Sequence, residues 1–444
     1  MSAVGSGDAA TAPVERTLGL RTATLLVVAS MIGTGVFTTT GLLVADIGSS
    51  VAVLLCWGVG GVVALGGALS YGELVAALPT NGGEYALLGR IYHPALGFAA
   101  GFVSLLVGFA APTAASAIAF GVYLQRVFPG GPQGWPLAAG VILVLLLATL
   151  HVATVRRATR FQDLMTALKV ALIVVFLMGA IGRVELTHVA GGKPWREAIL
   201  SGPFAVGLVL VSFAYTGWNA AAYVAGETRE PSRNLPRALA FGTGLVTVLY
   251  LGLNLVFVAA APADALAGRV DVAYVAAEAL FGPAAGRLLS ALIALGLVST
   301  VGALVMTGPR VVEAMGRDHP RLRLLAQRRA GGGPIGATVL QAGAAVAMAL
   351  SATFEALLVY VGVSLSFFAA LVAAGVFVLR FREPELARPY RTWGYPWSTL
   401  AFLLLSAWMI AHSVLERPVV AAFAGATVAF GLLGWLALGR RSVA

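Results

Sequence analysis

Residues 29–41 read ASMIGTGVFTTTG and lie in the middle of the first long apolar segment of the chain. Ala29 and Met31 suit a helix. Gly33-Thr34-Gly35 does not, because each glycine in a helix interior costs about 1 kcal/mol relative to alanine. A helix crossing a membrane here would be weakest at mid-depth. Backbone groups freed by such a break find no partner in lipid, so the break persists only where protein buries it or where it lines a cavity.

The rest of the chain supports a membrane setting. Of its 444 residues 59% are hydrophobic and 11% charged, against about 25% charged in a soluble domain. Twelve stretches have the length a span needs, about 20 residues: 20–46, 50–77, 94–125, 135–154, 161–181, 203–226, 237–261, 284–314, 335–352, 355–381, 396–414 and 419–438. Residues 270–282 are too short and too polar to span, and read as a helix lying on the surface. No cleavage site follows a short apolar core, so the first segment is expected to be retained. The single cysteine, Cys56, sits in an apolar run, which excludes an internal disulfide and makes redox chemistry unexpected.

Charge sets the orientation. Apart from Lys169, the basic residues divide about 21 to 7 between alternate loops. The richer set, from Arg16 and Arg90 to Arg310, Arg380 and Arg441, shares the side of the N-terminus. By the positive-inside rule both termini are cytoplasmic. The net charge of +10 is thus spread over short loops and does not mark nucleic acid as a partner.

The sixth segment repeats the anomaly of the first. VSFAYTGWNAAAYVAGET (211–228) puts Thr216-Gly217 in mid-span, followed by Trp218 and Asn219. Two breaks five spans apart imply a five-helix unit and an inverted copy. Spans 1–5 (20–181) and 6–10 (203–381) read as these repeats. Two appended spans (396–438) and polar tails (1–19 and 439–444) complete the chain. Discontinuous helices in corresponding positions are the best sequence pointer to a transporter's central site. The competing reading is that such glycines only allow close helix packing, and it is preferred for Gly58, Gly60, Gly61, Gly66 and Gly67.

The breaks also suggest a ligand. A half-helix starting near Gly35 points free N–H groups and a positive dipole end inward, which favours a carboxylate. Half-helices ending near Met31 and at Phe213–Thr216 present carbonyls, which favour an ammonium. A zwitterionic amino acid satisfies both. Asp46, Glu73, Glu227 and Glu313 all fall near span ends, so a neutral side chain is expected. Phe213 and Trp218 are candidates for a gate or pocket wall, with ordinary packing as the alternative. Lys169 lies about 12 Å into the fifth span, counting ~1.5 Å per residue, and an ionisable group at that depth is a functional candidate. The histidines (His93, His151, His188, His319, His412) lack metal-ligand spacing. Pro112 should kink the third span. No cofactor is expected, and no nucleophile, base and orienting group fall together as an enzyme would need.

Taken together, MIGTGVF in span one, PTNGGEY (79–85), SFAYTGWNAAAYVAGETREPSRNLPRAL in span six and RPYRTWGYP (388–396) resemble the amino acid–polyamine–organocation superfamily. The span-six stretch is similar to L-type amino acid transporters and their bacterial relatives. The resemblance covers nearly the whole chain and implies an all-α integral membrane protein of LeuT-like fold. That fold has twelve transmembrane helices, a 5+5 inverted repeat with helices 1 and 6 broken, and two extra helices. It implies a multi-pass protein of a bacterial inner or plasma membrane that moves neutral amino acids by alternating access, without sodium, as an exchanger or proton-coupled symporter. The implied substrate-binding set is Met31, Ile32, Gly33, Thr34, Gly35, Phe213, Ala214, Thr216, Trp218 and Asn219. Within it Thr34 and Gly35 match carboxylate-binding positions, the carbonyls of Met31, Phe213 and Thr216 match ammonium ligands, and Phe213 matches the occluding aromatic. Lys169 resembles a lysine that replaces sodium between spans one and eight, with Ser299 or Thr300 as partners, and is also a candidate proton carrier. Thr34 and Thr216 depart from the Ser and Gly common among L-type members. With Cys56 inside the membrane, a disulfide-linked partner subunit is not expected. A cationic amino acid or polyamine transporter is the alternative. A membrane sensor is a further one, disfavoured because 439–444 leave no room for an output domain.

Overall fold

The computed structural model describes residues 16, 18–80, 82–153, 158–190, 192–328 and 333–438. Most of the predicted N-terminal tail, the C-terminal tail, Arg156, Arg157, Arg329, Gly331 and Gly332 lie outside the described residues. Among the described residues the regular structure is helical, apart from isolated β-bridges.

The first segment is two helices, α1 (Leu20–Met31) and α2 (Gly35–Ile47), bent by 42° at the break. A left-handed Gly48 (φ 69°) ends α2, and the Ser49 hydroxyl caps α3 (Ser50–Ala77) by accepting from the Ala52 N–H. A short helix α4 (Gly83–Ile91) leads to α5 (Pro94–Val103), a π-helical segment Ser104–Ala110, and α6 (Ala111–Val127). The irregularity expected at Pro112 thus appears as a π segment just before it. Pro112 lies inside the continuous helical run Pro94–Val127, directly after the π segment, where it supplies no N–H to the helix ladder.

Next come α7 (Trp135–Ala153), α8 (Ala158–Ala180) and the short α9 (Trp195–Ala198). The sixth segment follows as α10 (Gly202–Tyr215), an irregular stretch and a 3-10 helix Ala220–Glu227. Then come α11 (Pro231–Ala260), the short α12 (Ala263–Leu266), α13 (Val272–Phe281), α14 (Pro283–Asp318), α15 (Ile335–Ser351), α16 (Phe354–Arg382), α17 (Trp397–Glu416) and α18 (Pro418–Leu438). Proline opens α5, α10, α11, α14 and α18 within their first two positions.

Among the described residues nine helical segments are long and apolar enough to cross a membrane, or ten with α1 and α2 taken as one bent span. Leu164–Ala180 within α8 and Ile335–Ser351 are apolar but shorter. They occupy the places of the predicted fifth and ninth spans.

The sixth segment is central, with 72% of its most apolar window buried, whereas α7 and α18 are peripheral at 17% each. Their outward faces carry Ile142, Leu145, Phe423, Phe430 and Leu436, side chains suited to lipid. Between the central helices small residues allow close approach: Gly60 faces Val211 and Gly61 faces Thr247. The predicted surface helix at 270–282 exists as α13 but does not lie free. Val272, Ala273, Ala276 and Ala277 are buried, and α13 packs on α14, α11 and α2.

Candidate functional site

At the first break the chain leaves helical geometry after Met31. The Ile32 N–H still bonds to the Val28 carbonyl (3.0 Å) and the Gly33 N–H turns to the Met31 carbonyl (2.8 Å). Two side chains take up the freed carbonyls. The Tyr250 hydroxyl on α11 is 2.6 Å from the Met31 oxygen and 3.2 Å from that of Ala214. The Lys169 ammonium donates to the Ile32 carbonyl (3.3 Å) and to the Thr300 hydroxyl (2.8 Å). The other side of the break is sealed by the Thr34 and Ser116 hydroxyls, 2.5 Å apart. The Thr34 side chain, at the N-cap of α2, makes no capping hydrogen bond.

At the second break α10 ends on Tyr215. The N–H and hydroxyl of Thr216 both return to the Phe213 carbonyl (3.0 and 2.7 Å). Gly217 has φ 98°, a backbone state that glycine adopts without strain. It also lies against α1: a Cβ there would come within 2.6 Å of the Ser30 carbonyl oxygen. The two breaks therefore touch. Trp218 then packs edge-on against Tyr71 (centroids 4.7 Å apart), and the Asn219 amide donates to Glu84 (2.9 Å).

Beside the two breaks is a cavity of about 510 Å³, within the range of small-molecule sites, roughly 300–1,000 Å³. Of the predicted binding residues, Ile32, Gly33, Thr216, Trp218 and Asn219 line it, and so do Lys169 and Thr300. Met31, Thr34, Gly35, Phe213, Ala214 and Ser299 do not line it; all six are buried. The reason is local packing. Gly35 is pressed against Ala214, whose backbone a Cβ at 35 would overlap. This contact covers the α2 end of the break.

The cavity instead runs along the α1 side, past Ser30 and Leu26, the turn 217–224 and the α14 residues Thr307 and Arg310. The opposite end of the bundle is closed. Tyr123 donates to the Phe37 carbonyl (2.6 Å), and the Gly268 N–H to the Gly41 carbonyl (2.8 Å). The buried Asp271 carboxylate binds Arg269 (2.9 and 3.0 Å) and also Arg126 of α6.

Sequence reasoning missed several of these groups. A tyrosine in an apolar span, such as Tyr250, carries no signal of its own, and neither does Ser116. Glu84, within PTNGGEY, reaches the cavity wall and bonds Tyr71 (2.9 Å), Asn219 and Tyr223 (3.3 Å). The acids near span ends, by contrast, include paired groups: Glu73 holds Arg380 (2.7 Å), and Glu313 holds Arg317 and Arg328 (2.5 Å each).

Comparison with known proteins places this architecture. The family model described as amino acid permease matches residues 18–435. The rat large neutral amino acids transporter small subunit 2 is 30% identical over 420 residues, covering 92% of this chain and 78% of the relative. The serine/threonine exchanger of Bacillus subtilis is 27% identical over 443 residues, covering 95% of each. The mouse Asc-type amino acid transporter 1 is 28% identical over 421 residues, covering 92% and 78%. The chain thus belongs to the amino acid permease family, within the amino acid–polyamine–organocation superfamily.

Proposed function

We propose that the protein is a sodium-independent secondary transporter of neutral L-amino acids, working by alternating access as an exchanger or a proton-coupled symporter. The observation that carries this reading is the cavity bounded by two touching helix breaks, with the Lys169 ammonium fixed between the Ile32 carbonyl and Thr300. A fixed ammonium there does the work of a cation bridging the first break to α14, so no sodium is required. Once Gly35 separates from Ala214, the ligand's carboxylate meets the N-terminus of α2 and its ammonium the Met31 and Phe213 carbonyls, which in this structure accept from Tyr250 and Thr216. The printed names of the relatives, which include large neutral amino acids and serine/threonine exchange, support an amino acid as the cargo.

In this reading the chain has twelve spans in a 5+5 inverted repeat with two appended helices, and both termini are cytoplasmic. The cavity then opens to the cytoplasm and the Asp271 latch lies outside. Cys56 is buried, consistent with a carrier that needs no disulfide-linked partner. One observation favours the alternative of a cationic amino acid or polyamine: the Glu84 carboxyl on the cavity wall. Against it, neutral donors already occupy both Glu84 oxygens.

The deciding experiment is counterflow into liposomes containing purified protein, without sodium. Labelled leucine and serine exchanging against internal neutral amino acid would support the reading. Uptake that requires a sodium gradient, or that accepts only lysine, arginine or polyamines, would overturn it.

A further inference from the structure

Three buried acids of this protein each meet two arginines: Glu73 with Arg380 and Arg388, Glu313 with Arg317 and Arg328, and Asp271 with Arg126 and Arg269. Glu84 is also buried, at 5% exposure, but the partners it meets among the described residues are neutral. Tyr71 Oη and Asn219 Nδ2 lie 2.9 Å from Oε1, and Tyr223 Oη lies 3.3 Å from Oε2. Burying a carboxylate without a counter-ion costs several kcal/mol, and such a group tends to take up a proton instead. Burial accordingly pushes the Glu84 carboxyl above the ordinary glutamate range, with the three hydrogen bonds pulling the other way.

The geometry provides a place for that proton. A carboxylate only accepts hydrogen bonds, whereas a protonated carboxyl must donate one. A phenol can rotate to accept and an amide nitrogen cannot. Tyr71 shares Oε1 with Asn219, whereas Tyr223 is the one described partner of Oε2 and makes the longest contact, so Tyr223 is the phenol that turns over and the proton belongs on Oε2. Tyr71 and Asn219 then stay on Oε1, but their bonds lose the charge that makes such contacts roughly twice as strong. Asn219 stands in the second break, and Tyr223 on the 3-10 helix that follows it. We propose that Glu84 is a proton-binding residue of the transport cavity, whose ionised form clamps the half-helix after the second break and whose protonation loosens it. The proposal deepens, and rests on, the transporter reading above.

Other titratable groups near this site are accounted for. On α3, Glu73 is bound by Arg380 of α16. On the 3-10 helix Glu227 engages a partner of its own, and on α16 Arg382 stands at the end that also holds Arg380. His93 caps α5, while Lys169 and Arg310 share the cavity.

The test pairs two readouts on wild type, Glu84→Gln and Tyr223→Phe. In infrared difference spectra against pH, a carboxylic C=O band should titrate in wild type and vanish in Glu84→Gln. In Tyr223→Phe, which lacks a bond that favours the carboxylate, the band should titrate at higher pH. In liposomes with equal pH on both sides, wild-type counterflow should rise on acidification with the same midpoint. Counterflow by Glu84→Gln should be independent of pH. A band unchanged in Glu84→Gln, or a pH profile of counterflow identical to wild type, overturns the proposal. A titrating Glu84 band in a protein that moves no amino acid would uphold the proton site and overturn the transporter reading instead.

Discussion

The Lys169 ammonium donates to the Thr300 hydroxyl at 2.8 Å and, from the same point, to the Ile32 carbonyl at 3.3 Å. One side chain thus ties α8 to α14 and to the unwound end of α1. Hydrogen bonds to charged groups contribute about 1.5–3 kcal/mol each, and about 1.4 kcal/mol is a factor of ten. Lys169→Ala is expected to lower counterflow at least tenfold at saturating amino acid, with the protein still folded by its melting curve. Unchanged transport by a folded Lys169→Ala protein would remove the role assigned to this residue.

Tyr250 makes a second such tie, with its hydroxyl within reach of the carbonyls of Met31 and Ala214, one from each break. Tyr250→Phe keeps the ring, which packs against Trp57 and Tyr215, and removes only that donor. Leaving a buried acceptor unpaired costs about 1–3 kcal/mol. The variant should melt at a lower temperature in detergent and require more amino acid for half-maximal counterflow. A melting temperature and half-saturation equal to wild type would show that the two carbonyls need no shared donor.

These two residues also mark what could be read from sequence. The breaks and Lys169 were legible because each violates a local rule: glycines where an apolar helix should be strong, and a charge where the surroundings are apolar. Tyr250 and Ser116 violate nothing, and only the fold brings them to the first break. Glu84 follows a glycine pair in what reads as a polar loop. Its burial arises because residues 71, 219 and 223 converge on it from two other elements. The carboxylate-binding end at Thr34 and Gly35 was legible as chemistry. Its closure was not, since that depends on how α2 packs on α10.

Gly217 offers a test of the contact between the breaks. Its φ of 98° and the nearby Ser30 carbonyl both exclude a side chain, so Gly217→Ala must strain the turn or push α1 away. Counterflow should fall by an order of magnitude or more. Gly343 in α15 has open space around it and an ordinary backbone. Gly343→Ala should transport normally and be more stable by up to about 1 kcal/mol, the helix propensity difference. Equal activity of the two variants would contradict the tight junction at Gly217.

The Asp271 latch closes the end opposite the cavity, and its test is accessibility. Burial raises the Asp271 carboxyl, but the bonds and charge of Arg269 and Arg126 outweigh it and hold the group below the ordinary aspartate range. A depressed carboxyl stabilises the closed end above the ordinary value, about 3.9, and the contribution is lost only as pH falls further. The latch should therefore be indifferent to pH between roughly 5 and 8, unlike the Glu84 site. The reporter is Ser116→Cys, in a Cys56→Ala background; Ser116 is on α6, the helix that carries Arg126, and its side chain lies beside Thr34. A membrane-impermeant maleimide added from the Asp271 face should label it slowly at any pH in that range. Asp271→Asn removes the charge that both arginines share and should speed labelling severalfold. The same slow labelling with and without Asp271→Asn would mean that packing at Gly35 and Ala214, and not the ion cluster, keeps this end shut.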